Sequence, residues 1–205
     1  LACTWIARAF VNEDRHRSDP LDGKALPPVS ILKPLKGPDP EMYESFRSHC
    51  LQDYPEYEII FGVREEDDPA VPLVHRLMAE FPERRIRLVL CPATLGANQK
   101  VASLIQMVAH ASHPYLLVND SDIRVPRDYL RRVLARFADP KVGMVTCLYR
   151  GVAGRTLGSH MEAVGINTEF FAGVLSATSF DRGLKRKASS ATTTRQAATA
   201  PTNFH

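Results

Sequence analysis

Two carboxylates spaced two residues apart, Asp120 and Asp122, lie in the segment Tyr115-Leu-Leu-Val-Asn-Asp-Ser-Asp-Ile-Arg-Val-Pro126. At that spacing one turn can aim both at a single hard cation, Mg2+ or Mn2+. Such a cation, held by one or two carboxylates, bridges and neutralises the phosphates of a substrate. Asn, Asp and Ser also favour an Asx-turn or a helix start, so the pair alone does not separate a metal site from a plain turn. Three further stretches bear on the choice. Lys33-Pro-Leu-Lys-Gly37 offers a backbone at Pro34 and the ammonium of Lys36 to a nucleobase or phosphate, or is a strand followed by a Pro/Gly turn. Glu65 to Asp68 offers an acid for a ribose or uracil edge, or is the acidic start of a helix. Gly96-Ala-Asn-Gln-Lys100 offers N–H groups, Asn98 and Lys100 to a pyrophosphate, or has Asn98 as a simple helix cap.

These four stretches converge only if the chain folds so that they share an edge. Val29–Leu35, Tyr57–Val63, Ile86–Leu90, Tyr115–Val118 and Val142–Leu148 each read as a strand, the fourth as one buried on both faces. Between them, apolar residues recur at helical spacing. Examples are Met42, Phe46 and Cys50, with Asp39 as cap and Pro40 at the first position. Others are Val74, Leu77, Met78 and Phe81, then Val101, Leu104, Ile105 and Val108, then Leu130, Val133, Leu134 and Phe137. Gly158 to Val174 reads as one more helix. Strands alternating with helices imply right-handed βαβ units and an α/β fold with a mainly parallel sheet. Ligands bind such sheets at the carboxyl ends of the strands, which is where all four stretches fall.

The chain has 205 residues, 44% of them hydrophobic, enough for one α/β domain with a core. Cys3, Cys50, Cys91 and Cys147 are scattered with no Cys-x-x-Cys pair, which argues against zinc and a disulfide framework and suits a reducing compartment. Cys50 and Cys91 sit in apolar patterns and are expected in the core. The formal net charge is +3, but residues 181–205 alone have a surplus of four, leaving −1 on the other 180. The expected folded part is thus not basic, and no nucleic-acid footprint is expected. Leu1 to Val11 is apolar and too short to span a bilayer of about 30 Å. It reads either as the end of a transmembrane helix, with Arg8, Arg15 and Arg17 flanking, or as an amphipathic N-terminus. Residues 12–28 read as a linker. From 176 to 205 Ser, Thr and Ala dominate without periodicity, so this stretch reads as a disordered basic tail.

Val29-Ser-Ile-Leu-Lys-Pro-Leu-Lys-Gly37, Asp53-Tyr-Pro55, Asp67-Asp-Pro-Ala70, Gly96-x-Asn98-x-Lys100 and Asp120-Ser-x-Ile-Arg-Val125 together resemble the ceramide glucosyltransferases. They are similar, more closely, to the bacterial hopanoid-associated relatives of those enzymes. The resemblance runs from about residue 29 to 175. It implies an inverting glycosyltransferase with a GT-A (Rossmann-like) sheet, moving a sugar from a UDP-sugar, of glucose or N-acetylglucosamine type, to a lipid hydroxyl with Mg2+ or Mn2+. It also implies a membrane location, at the cytoplasmic face of a bacterial inner membrane. By the same resemblance Asp68 and Asp120 correspond to the first two essential aspartates, and Asp122 completes the pair at the metal. The family's third aspartate, the base for the acceptor hydroxyl, and its Gln-x-x-Arg-Trp motif find no counterpart here: the only tryptophan is Trp5. The expectation is therefore a truncated domain, with donor half present and acceptor half missing. Two rivals stay open, a non-catalytic nucleotide-sugar-binding fragment and a sugar-nucleotide nucleotidyltransferase. The second lacks the Gly-rich loop expected in the first βα turn.

Overall fold

The computed structural model describes residues 26–39, 41–147, 151–152, 157–165 and 168. The chain divides into two compact units, Ser18–Val145 and a second made of Leu1–Arg17 with Thr146–His205. In the first, a sheet of four parallel strands is ordered β3-β2-β1-β4. The strands are β1 (Val29–Pro34), β2 (Tyr57–Val63), β3 (Arg85–Leu90) and β4 (Tyr115–Val118). Helix α1 (Met42–Cys50) connects β1 to β2, α2 (Val71–Glu80) connects β2 to β3, and α3 (Gln99–Val108) connects β3 to β4. After β4 come α4 (Tyr129–Leu134) and a 3-10 turn, Ala135–Ala138.

The two central strands are the continuous apolar runs expected of a parallel sheet: every residue of β2 is buried, and five of six in β1. One face of the sheet carries Ile31, Ile59, Phe61 and Leu117 against Phe46 of α1, Val74 and Leu77 of α2, and Leu130 and Leu134 of α4. The other face carries Leu32, Ile60 and Val89 against Met107 of α3. Gly62 makes that second contact close: a Cβ there would meet Met107 Sδ at 2.4 Å. A side chain at this position would force the buried Met107 side chain to move.

Three expectations fail. β4 is not buried on both faces, because only Leu117 is covered while Leu116 and Val118 are 46% and 49% exposed. Residues 142–147 form no strand, and Leu148 lies outside the described residues. Apolar composition qualifies such a stretch for a sheet, but a strand exists only where a partner accepts its ladder bonds. Nor does Asp39 cap α1. The cap position is Glu41, in the left-handed region at φ 59° with no side-chain capping bond, and Pro40 lies outside the described residues. Asp39 instead accepts from the Ser121 hydroxyl, tying the turn after β1 to the turn after β4.

In the second unit α5 spans Leu157–Gly165, the start of the stretch expected to be helical to residue 174. Its Leu157, Met161 and Val164 are exposed. No described helix is long and apolar enough to cross a membrane. The expected transmembrane remnant (1–11), most of the linker and the 176–205 tail lie outside the described residues.

Candidate functional site

The sheet order places β1 between β2 and β4, so the chain leaves β1 for one side and returns to the other. A crevice opens at the carboxyl ends of strands at such a switch point. It is observed here as a cleft of about 210 Å³ lined by Pro34, Lys36, Arg64, Lys100 and Asp120, among others. The ladder bonds hold its rim: Leu35 N–H donates to Gly62 O (2.8 Å), Cys91 N–H to Val63 O (2.7 Å) and Asn119 N–H to Leu32 O (3.1 Å). A larger hollow of about 470 Å³ runs along edge strand β3, by Met78 and His110, away from all four predicted stretches.

The floor of the cleft is a buried polar layer that holds the aspartate loop by its backbone. Lys33, fully buried in β1, donates from Nζ to the carbonyl of Asp120 at 2.7 Å. Burial pushes its pKa down to about 7, against the pull of Asp122 and Asp120. From α1, Ser45 Oγ donates to Ile123 O (2.6 Å) and Ser48 Oγ accepts from Val125 N–H (3.2 Å); just past the helix, Gln52 Nε2 donates to Pro126 O (2.8 Å). Gln52 Oε1 accepts from Leu130 N–H at 3.1 Å. His49 is pushed down to about 3 by burial and by Lys33, so it is neutral. Its partners assign the proton to Nδ1, which donates to Ser45 O (2.9 Å). That leaves Nε2 to accept from Asn119 Nδ2 (3.2 Å), while Asn119 Oδ1 accepts from Tyr129 OH (3.3 Å). The loop is thus pinned from Asn119 to Pro126 with the carboxylates of Asp120 and Asp122 left exposed above it.

Of the residues the sequence marks, Pro34, Lys36, Lys100 and Asp120 come together in the cleft, and Lys100 forms an ion pair with the Asp120 carboxylate. Glu65 and Asp122 are exposed and do not line it. Asp68 is occupied with backbone: Oδ2 accepts from Gly37 N–H (3.0 Å) and Oδ1 from Ala70 N–H (2.8 Å). It clasps the turn after β1, where Gly37 has φ 65°, to the turn after β2. Asn98 caps α3, its Oδ1 accepting from Val101 N–H at 3.2 Å. Sequence reasoning missed the buried Lys33, the polar face of α1 and Arg64. A charged residue inside an otherwise apolar strand was the available signal for Lys33. Ser45, Ser48 and His49 at helical spacing, continued by Gln52 just past the helix end, were the signal for α1.

Two carboxylates are the donor type that a hard divalent cation takes when water and substrate phosphates complete its shell, but here Asp120 is paired with Lys100 and Asp122 does not line the cleft. The pair does not fit a cation caged by protein alone, and no described group of three or more His, Cys, Asp or Glu is placed to hold one.

A parallel sheet with flanking helices and a crevice between β1 and β4 is the architecture of the GT-A (Rossmann-like) glycosyltransferases. The mannosyltransferase PcManGT of Pyrobaculum calidifontis, solved with GDP-Man and Mn2+, superposes at TM-score 0.56 over 72% of this chain and 43% of its own, at 24% identity. The family model of Glycosyl transferase family 21 matches residues 1–200, and the chain belongs to that family. Ceramide glucosyltransferase 3 of Caenorhabditis elegans is 32% identical over 126 residues, 61% of this chain and 28% of that protein. The ceramide glucosyltransferase of Komagataella phaffii is 33% identical over 108 residues, 51% of this chain and 21% of that protein. The chain therefore spans between a fifth and a third of these relatives' length.

Proposed function

We propose that this chain is the donor-binding part of a hexosyltransferase: it holds a UDP-sugar in the β1–β4 cleft for transfer to a lipid hydroxyl such as that of ceramide or a hopanoid. The observation that carries this reading is the meeting of Lys36, Lys100 and Asp120 in one cleft at the switch point of the sheet. Family membership and the ceramide glucosyltransferase relatives supply the substrate class.

In this reading Lys100 and Lys36 neutralise the diphosphate, and Asp120 and Asp122 hold Mg2+ or Mn2+ against it. The metal, when bound, supplies charge stabilisation for a departing UDP. The fixed floor keeps Asp120 in place without reorganisation as that charge develops. Asp68 acts by positioning: its two amide bonds set the Lys36–Gly37 turn against the β2 end. In this reading Glu65, exposed after β2, and Asn98, at the α3 cap, are the remaining residues assigned to the nucleotide. Inversion requires the acceptor hydroxyl to attack the anomeric carbon in line while the bond to the diphosphate oxygen breaks, with a base taking the hydroxyl proton. No base is assigned to this chain. The site lies at a membrane surface in this reading, where a lipid hydroxyl is presented.

Calorimetry with UDP and Mn2+ tests the assignment. Asp120→Asn keeps the loop's shape and removes the charge, and it is expected to weaken binding at least tenfold. Equal heats in wild type and variant would sink the site. Binding without sugar transfer to ceramide would identify the chain as a nucleotide-sugar-binding fragment.

A further inference from the structure

Three buried side-chain nitrogens among the described residues have no hydrogen-bond partner: Arg64 Nη1, Arg84 Nε and His113 Nε2. Arg84 has another use, since its guanidinium lies 5.1 Å from the centre of the Tyr57 ring. His113 sits just before β4, at the amino end of the sheet. Only Arg64 lines the cleft. It is the first residue after β2, half-buried, and its Nη2 donates to Thr94 Oγ1 at 3.2 Å. That bond restrains one edge of the guanidinium, while Nη1 has no hydrogen-bond partner and the side chain no ion pair among the described residues.

Leaving a charged donor buried and unpaired is costly, and folded chains rarely tolerate it without a reason. Internal acceptors are near in sequence but committed elsewhere. Glu65, Glu66 and Asp67 face solvent, and both oxygens of Asp68 take backbone amides. Arg64 forms no ion pair with any of them. The cleft beside it contains two more cations, Lys36 and Lys100, against the one carboxylate of Asp120. A planar fork of donors in a cationic cleft matches a phosphate, which guanidinium takes through two parallel bonds.

We infer that Arg64 is a ligand-binding residue of this cleft, its guanidinium donating to an oxygen of the diphosphate. The inference rests on the nucleotide-sugar reading of the site and adds to it a contact that no sequence motif marks. Thr94 is then a positioning residue, restraining one edge of the guanidinium before the ligand arrives.

The experiment compares wild type, Arg64→Gln, Arg64→Lys and Asp120→Asn, all as the full chain, by calorimetry with UDP and with pyrophosphate in the presence of Mg2+. Thermal unfolding is recorded without ligand. Arg64→Gln is expected to weaken both ligands at least tenfold while the melting temperature stays level or rises, because the orphaned donor is gone. Arg64→Lys, which retains the charge and loses the fork, is expected to fall between. Unchanged UDP affinity in Arg64→Gln overturns the inference. So does a loss for UDP without one for pyrophosphate, which would place Arg64 on the base. A drop in melting temperature that accounts for the lost binding would make Arg64 scaffold, and overturns it too. If Asp120→Asn is silent while Arg64→Gln is not, the metal assignment fails and Arg64 stands. The reverse result removes Arg64 alone, and a wild type that binds neither ligand removes both.

Discussion

The two ends of the sheet use the same residue types in opposite ways. At the amino end, Glu58 of β2 is fully buried and its carboxylate is saturated. It accepts from Ser30 Oγ (2.6 Å), from Ser112 N–H (2.6 Å) and Oγ (3.2 Å), and from Arg87 Nη2 (2.6 Å). At the carboxyl end Asp120 and Asp122 are exposed, Arg64 Nη1 is unanswered, and Lys36 and Lys100 reach into an open cleft. An arginine, a carboxylate and a serine close on one another at one end; at the other Arg64 forms no ion pair and Asp120 pairs with Lys100 at the exposed rim. The difference teaches which end is organised for stability and which is left incomplete until something binds.

The sharpest way to break this comparison is Glu58→Ala. It strands Ser30 and the Ser112 amide around a buried gap, while Arg87, 39% exposed, turns to water, so the loss is that of the buried hydrogen bonds, about 1–3 kcal/mol. Urea unfolding should show that loss, while UDP affinity of the folded protein changes less than twofold. A tenfold affinity loss would mean the two ends are coupled. Burial raises the pKa of Glu58, but Ser30, Ser112 and Arg87 outweigh it and hold the carboxyl below its usual range. Its stabilisation is therefore present above the unfolded pKa and fades as pH drops through the folded one.

A smaller effect separates the floor of the cleft from its rim. His49 has a folded pKa of about 3 against an ordinary value of 6.5, with Lys33, Asn119, Ser45 and Tyr129 around it. Between those two values the unfolded chain binds the proton and the folded chain does not. Stability contributed by neutral His49 is thus complete above pH 6.5 and lost as pH falls towards 3. The slope is at most about 1.4 kcal/mol per pH unit. Comparing urea unfolding at neutral and mildly acid pH, His49→Gln should be less acid-sensitive than wild type by that slope. Equal sensitivity would place the acid lability outside the floor.

Most of the scaffold was legible because parallel strands buried on both faces are continuous apolar runs: Val29–Pro34 and Tyr57–Val63 carry the pattern in their composition. Tyr115–Val118 carries it too, yet only Leu117 is covered, since a sequence does not say what will pack on a face. Residues 142–147 fail as a strand for a related reason: pairing is decided by a neighbour and not by the segment. The cleft was legible where turn chemistry and charge coincide, at Lys36, Lys100 and Asp120. Arg64 was not, because its significance lies in a bond it does not make, and unsatisfied geometry has no one-dimensional signature. Lys33 stands out in sequence as a charge inside an apolar strand, but its burial under Asp120 depends on a contact spanning 87 residues.

Asn98 gives the smallest effect and the finest test of the division between the two ends. It stands on the cleft side of the molecule, but its side chain is used as those at the amino end are, on backbone of its own chain: Oδ1 takes the Val101 amide at the start of α3. Replacing such a cap by Ala costs about 1 kcal/mol, whereas Ser retains an acceptor and most of the stability. If capping is its whole contribution, Asn98→Ala lowers the unfolding midpoint slightly, and UDP affinity changes less than threefold in both variants. If Asn98 also reaches the nucleotide, Asn98→Ser retains the midpoint and still loses affinity, since the shorter hydroxyl answers the amide of Val101 but not a ligand. The Ser variant therefore separates the two roles where the Ala variant cannot, because in Ala the α3 amides and the rim are disturbed together. Lys100, two residues on, is the internal control: it sits on the same helical turn and pairs with Asp120, so a frayed α3 would loosen that pair as well. An affinity loss seen in Asn98→Ala and absent from Asn98→Ser thus traces to the helix end carrying Lys100, and Asn98 then belongs with the scaffold.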